Sequence, residues 1–232
     1  MALFSGIKSR MAMLKQSRGD EQTAREQYER LYASGKIDAN YLLPYCVILL
    51  REGGTENYEK VKEILKKVEK QPGLNTEKKQ QIHLDYACAQ FKLGHLSEAI
   101  QLLERSHQSF RCTNTYAALG YLYVEAGDAE KGLPYCEEAL DYDDEDAIFL
   151  DNIGQMYYRV LKDKEKALPY FQKAHELKES QIDTLYFLSL YDLENGDIAA
   201  AKEKMQKALE GRFSPLNYVT KQLLEEKIRE LG

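Results

Sequence analysis

The sequence predicts an all-α chain, a solenoid of six helix–turn–helix units finished by a carboxy-terminal capping helix. Three observations carry this. Two adjacent stretches nearly repeat each other: Leu119-Gly120 through Gly132-Leu133-Pro134-Tyr135 to Ala139, and Ile153-Gly154 through Ala167-Leu168-Pro169-Tyr170 to Ala174. A frame of 34 positions drawn from them finds six copies along the chain, at 5–38, 39–73, 80–112, 113–146, 147–181 and 182–215. Within that frame, small residues return at fixed places, as close helix crossings require.

Position 8 of the frame reads Ala12, Cys46, Ala87, Gly120, Gly154 and Ser189, and these small residues predict a close crossing in every copy. Position 20 (Ala24, Val61, Ala99, Gly132, Ala167, Ala201) and position 27 (Leu31, Val68, Ser106, Ala139, Ala174, Ala208) lie seven residues apart. Seven residues is two helical turns, so both face one way. Larger groups at position 7 (Met11, Tyr45, Tyr86, Leu119, Ile153, Leu188) and position 24 (Tyr28, Leu65, Leu103, Cys136, Phe171, Met205) are expected to slot between them.

Each unit needs a turn between its helices. Gly19, Gly53, Gly94, Gly127 and Gly196 occupy position 15 in five copies and suit the left-handed conformation that closes a helix. The fifth copy instead has Leu161-Lys162-Asp163 and one extra residue, which predicts a longer or looser turn with Leu161 covering the neighbouring packing. Gly53-Gly54-Thr55-Glu56 lengthens the second turn, and Gln71-Pro72-Gly73-Leu74-Asn75-Thr76 separates the second and third copies, the place where flexion is expected. A stack must be finished at its ends. Lys8 and Lys15 give the first copy a polar outer face, and Ser214-Pro215 reads as the start of a capping helix over 215–231.

With these residues in place, the frame resembles the tetratricopeptide repeat (TPR). The fourth copy matches that family's pattern through Tyr116, Leu119, Gly120, Tyr123, Gly127 and Ala139, and the fifth through Ile153, Gly154, Tyr157, Ala167, Phe171 and Ala174. Other copies depart from it: Lys8 and His83 stand at position 4, Lys15, Gln90 and Asp192 at position 11, and only Pro72 lies near the family's proline. The resemblance covers about residues 5 to 215. It implies a right-handed α–α superhelix in a single domain of 1–232, and a non-catalytic protein-binding role.

Composition sets further bounds. The 232 residues carry 32 Lys+Arg and 38 Asp+Glu, a net charge of −6, which argues against a nucleic-acid footprint. Charge is uneven: residues 1–111 hold 18 basic and 14 acidic side chains (net +4), and residues 112–232 hold 14 and 24 (net −10). Such polarity can orient a charged partner or a second copy. Tyr41 to Leu50 is ten residues and contains Pro44, too short for a membrane span. The amino-terminal stripe of Phe4, Ile7, Met11 and Leu14 beside Lys8, Arg10, Lys15 and Arg18 could suit a membrane surface, but the frame gives it a packing partner within its own copy. Without a hydrophobic leader core, the chain reads as cytoplasmic.

Four dispersed cysteines suggest neither a zinc site nor a disulfide framework, and no nucleophile elbow, P-loop or H-E-x-x-H pair is present. No enzyme activity, cofactor or metal is therefore expected. His83, His95 and His107 recur every twelve residues but fall on two helices and a turn. The acidic run of Asp141, Asp143, Asp144, Glu145 and Asp146 lacks the offsets of a calcium loop and reads as a solvated turn able to attract a basic partner.

In the family, the first helix of each pair lines a concave face. Carried onto this chain, that face comprises Phe91; Asn114, Tyr121 and Val124; Asn152, Gln155, Tyr158 and Arg159; and Tyr186, Phe187 and Leu190. The expectation is an exposed groove holding an extended or helical peptide of a partner, the chain acting as scaffold or adaptor. Covering of the groove by neighbouring helices or by the carboxy-terminal helix is the alternative for any one residue. The clamp that one subfamily uses for acidic tails is absent, since its positions hold Leu84, Asp85 and Cys88, then Asn114, Ala117 and Tyr121, then Asp151, Asn152 and Gln155. With aspartates nearby, an apolar or basic segment fits better. A second functional reading is a regulator that senses a peptide or small ligand by changing curvature, with 71–76 as hinge. Self-association is compatible with either.

Overall fold

The computed structural model describes the backbone of residues 2–232 and the side chains of residues 10–232. All regular structure among the described residues is helical. The helices are α1 (Ala2–Ser17), α2 (Glu21–Ala33), α3 (Ala39–Glu52), α4 (Thr55–Val68), α5 (Thr76–Lys92), α6 (Leu96–Ser109), α7 (Thr113–Ala126), α8 (Ala129–Tyr142), α9 (Ala147–Gln155), α10 (Lys164–Leu177), α11 (Ile182–Glu194), α12 (Ile198–Leu209) and α13 (Lys221–Glu230). α1 packs with α2, α3 with α4, α7 with α8, α9 with α10 and α11 with α12, the hairpins that the frame requires of those copies. By its contacts the chain forms two compact units, 1–106 and 107–232.

In the first unit α1 packs on α2, α3 on α4, and α5 on both α3 and α4. Ala12, Cys46, Ala87, Ala24, Val61 and Ala99 are all fully buried, and Tyr28, Leu65 and Leu103 fill the space between them. Met11 and Leu14 depart from expectation: they are 51% and 54% exposed. Position 7 is buried in four later copies, at Tyr45, Leu119, Ile153 and Leu188, whereas α1, at the start of the described chain, packs on α2 and α3 and leaves Met11 in solvent. Phe4, Ile7 and Lys8 lie outside the described side chains; Lys15 pairs with Asp20 at 3.2 Å.

The 71–76 segment is tied down. Gln71 Nε2 donates to the Ile37 carbonyl at 2.6 Å while its Oε1 accepts from Ala39 N at 3.0 Å, and Asn75 caps α5.

The second unit keeps the same grammar with tighter steps. An added Cβ at Gly120 would lie 2.9 Å from Asn152 Nδ2 and 3.1 Å from Cys136 Sγ, and one at Gly154 would lie 2.7 Å from the Phe171 ring. These glycines are notches into which the next layer fits. The acidic run is used locally: Asp146 Oδ1 accepts from Ile148 N and Phe149 N at the start of α9, and Asp143 Oδ1 accepts from Glu145 N.

The insertion in the fifth copy is not a loose turn. α9 runs on into a π-helical turn, Met156–Val160, closed by Leu161 N donating to the Met156 carbonyl at 3.0 Å. One extra residue is thus absorbed inside the helix. Lys162 then takes φ 58°, a positive φ like that of the turn glycines elsewhere, and Leu161, expected to cover the neighbouring packing, is 45% exposed.

The capping helix is also shorter than 215–231. Ser214 N donates to Asn217 Oδ1 and Ser214 Oγ accepts from Leu216 N, so Ser214-Pro215 makes a turn. Buried Asp183 then takes the Tyr218 and Val219 amides at 3.1 and 3.0 Å, holding that backbone out of a helix. α13 starts only after Thr220, whose Oγ1 caps Leu223 N.

Candidate functional site

A cleft of about 680 Å3 opens in the second unit between the end of α7, the π-turn, α11 and the segment before α13. Its walls include Val124, Tyr158, Arg159, Tyr186, Phe187 and Leu190, six residues that the repeat frame places on one face. The other predicted residues lie elsewhere. Tyr121 is buried at 5% exposure rather than exposed, on a helix that packs against both α8 and α9. Asn114 is exposed at the start of α7, and Phe91 is half-buried in the first unit.

Asn152 and Gln155 are buried structural groups. Asn152 Nδ2 donates to the Ala117 carbonyl at 2.9 Å, fastening α9 to α7. Gln155 Nε2 donates to Asp151 Oδ2 at 2.6 Å, Thr184 Oγ1 donates to Asp151 Oδ1 at 2.6 Å, and Gln155 Oε1 accepts from Arg159 at 2.9 Å. The chain of bonds therefore runs from the core to the cleft wall, where Arg159 meets Glu125 at 2.7 Å. A buried polar network joined in this way fixes side-chain direction.

Asp85 and Asp151, the aspartates that suggest from sequence a groove for a basic segment, are buried at 4% and 2% exposure, and Asp183 beside Asp151 is buried too, at 3%. Burial raises the pKa of Asp151 and of Asp183, and Asp183 raises that of Asp151 further. Around Asp183 this is opposed by Asn217 Nδ2 and by the Tyr218 and Val219 amides. These carboxylates stabilise structure and do not line the cleft.

Glu125, Lys162, Lys164 and Tyr218 line the cleft without having been expected there. Tyr218 stacks on Phe187 with centroids 5.5 Å apart and lies under the Arg159 guanidinium, 3.8 Å from its carbon. The turn at 214–219 thus covers part of the groove in cis, where a carboxy-terminal helix was the alternative. Tyr218 escapes the frame because it follows the last copy. Lys162 was visible as the residue replacing a turn glycine, but only the π-turn brings it to the cleft.

Lys162→Gly is expected to stabilise the chain by about 0.5 kcal/mol, since a left-handed residue with a Cβ costs more than glycine's added freedom. Chemical denaturation measures this, and a loss of stability would show that the lysine side chain supports the fold.

The histidines have separate surroundings. His83 Nδ1 bonds Ser106 Oγ at 3.0 Å, His95 is exposed, and His107 packs edge-on against Tyr116 and Tyr135. Among the described residues no group of three His, Cys, Asp or Glu could hold a metal ion, and no helix is long and apolar enough to cross a membrane.

Comparison with known proteins agrees with this geometry. The tetratricopeptide repeat family matches residues 113–146. No curated protein matches. A tetratricopeptide repeat protein from Parabacteroides merdae superimposes with a TM-score of 0.77 at 12% identity, over 98% of this chain and 84% of that one. The Cut9–Hcn1 hetero-tetramer of the APC/C gives 0.69 at 13% identity, over 98% of this chain and 42% of the other. A thermophilic TPR protein of Thermus thermophilus gives 0.53 at 20% identity, over 91% and 98%. Identities this low speak for the fold alone, which is the all-α, α–α superhelix class. With one copy, 113–146, matching the family, buried small residues at the frame's fixed positions and TPR folds among its structural neighbours, the chain carries a tetratricopeptide repeat and has the fold of tetratricopeptide repeat proteins.

Proposed function

We propose that this protein is a non-catalytic interaction module, a scaffold or adaptor that holds an apolar segment of a partner in the cleft of its second unit. The observation that carries this reading is the cleft itself. Its exposed and half-buried wall of Tyr158, Leu190 and Tyr218 gives apolar contact area on helices held by a buried network. Aromatic walls of this kind supply contact area at low entropic cost. The TPR fold supports a protein-binding role, and proteins of this family are generally interaction modules without catalysis.

The test uses residues that can be changed without emptying the core. Tyr121 and Phe187 are buried, so their removal would confuse unfolding with loss of binding. A Tyr158→Ala, Leu190→Ala variant keeps those core groups. Selection from a random peptide library should return apolar sequences that bind wild type at least tenfold better than this variant, with matching circular dichroism. Equal binding by both proteins would remove the cleft from the function, and turnover in a hydrolase or transferase screen would replace the reading.

A further inference from the structure

The fifth copy departs from its neighbours in three ways at one place. It carries an inserted residue, it absorbs that residue in a π-turn, and it puts a lysine where five other copies put glycine. All three meet at the cleft: Tyr158, Arg159 and Val160 of the π-turn and Lys162 beyond it are wall residues. π-turns and non-glycine residues at positive φ each cost stability, and both gather at functional sites.

Charge narrows what such a site would take. Arg159 is matched by Glu125 at 2.7 Å, and Lys164 pairs with Glu194 and lies over the Tyr158 ring. Lys162 is exposed and has no hydrogen-bond or ion-pair partner among the described residues. The wall thus holds three cations and one carboxylate, although residues 112–232 as a whole carry net −10. A locally positive, partly aromatic cleft in an acidic setting is complementary to an acidic group beside an apolar one.

We infer that Lys162 is a specificity-determining residue, and that the cleft takes a partner segment in which an apolar side chain is followed directly by Asp or Glu. This rests on the cleft reading above and adds the charge of the partner. It differs from an acidic-tail clamp on the first helices, whose positions here hold no cation.

Four blocked, fluorescein-labelled heptapeptides test it by polarisation on the full chain: Ser-Gly-Leu-Glu-Asp-Gly-Ser, its Leu-Gln-Asn and Leu-Lys-Lys counterparts, and a Gly-Glu-Asp form lacking leucine. The Leu-Glu-Asp peptide should bind about fivefold more tightly than Leu-Gln-Asn, the range an exposed ion pair can supply, and lose that margin in 0.5 M salt. Lys162→Glu should abolish the margin. Lys162→Gly should weaken binding while leaving the melting temperature unchanged or higher, which a structural role would not do.

Equal binding of the acidic and amide peptides, or preference for Leu-Lys-Lys, overturns the carboxylate preference and leaves the apolar cleft standing. Equal binding of the Gly-Glu-Asp form overturns the apolar half. Failure of all four at 1 mM overturns both this inference and the cleft reading. If sedimentation shows an oligomer that the Leu-Glu-Asp peptide dissociates, the occupant is a second copy of the chain and the separate partner is overturned.

Discussion

Phe171→Ala is expected to lower stability by about 3–5 kcal/mol, the range for emptying a buried aromatic site. Phe171 is fully buried, stacks on Phe187 with centroids 4.9 Å apart, and fills the notch left by Gly154. The hole cannot close easily, because α9 and α10 are held by many other contacts and because Ala167, Met205 and Ala208 around it are small or already packed. The effect extends to the cleft, since Tyr158 rests on both rings. Chemical denaturation followed by circular dichroism should show the loss, and a change below about 1 kcal/mol would mean that the layer repacks. The converse change, Gly154→Ala, places a methyl against the same ring and should be destabilising in wild type but milder beside Phe171→Leu.

The second large effect is on pH. Asp85 is buried in the first unit, where Gln81 Nε2 donates to Oδ1 at 2.6 Å and Oδ2 has no hydrogen-bond partner. Burial pushes its pKa up to about 7, with the Gln81 bond and the charge of Arg51 opposing the rise. The Cys46 and Cys88 thiols, also raised by burial, feel the same carboxylate.

A carboxyl whose pKa is higher folded than unfolded binds more protons in the folded state between those two values. Its contribution to stability is therefore full below about pH 4, falls as pH rises toward about 7, and is level above, at about 1.4 kcal/mol per pH unit within that window. Asp85→Asn keeps the acceptor for Gln81 and removes the titration. The stability difference between variant and wild type should thus be largest at pH 8 and shrink by roughly 1.4 kcal/mol by pH 6. His83 and His107 are lowered by burial and give a slope of the opposite sign, but they are common to both proteins and cancel in the difference. A difference independent of pH between 5 and 8 would show that Asp85 is ionised throughout.

The sequence by itself determined the repeat, its helix pairs and most of its core. Position 8, position 20 and position 27 could be read because contact between adjacent copies repeats with the chain, so one spacing rule applies six times. The turn glycines were legible for the same reason: each takes a positive φ that few other residues adopt. Where the rule was broken, the sequence marked the place but not the outcome. Leu161-Lys162-Asp163 announced an extra residue, and only the packing of α9 on α10 decided that a π-turn within the helix, rather than a longer loop, would absorb it.

The cleft was half legible. Val124, Tyr158, Arg159, Tyr186, Phe187 and Leu190 follow from helical periodicity, which says which face a residue shares. Exposure does not follow from periodicity, because it depends on what the rest of the chain lays over that face. Tyr121 is covered by its neighbours, and Tyr218 arrives from beyond the last copy because Asp183 captures two backbone amides and holds the 214–219 turn in place. The local rules of helix and turn are written in spacing, whereas burial and charge at the cleft come from side chains distant in sequence that meet only when the copies stack.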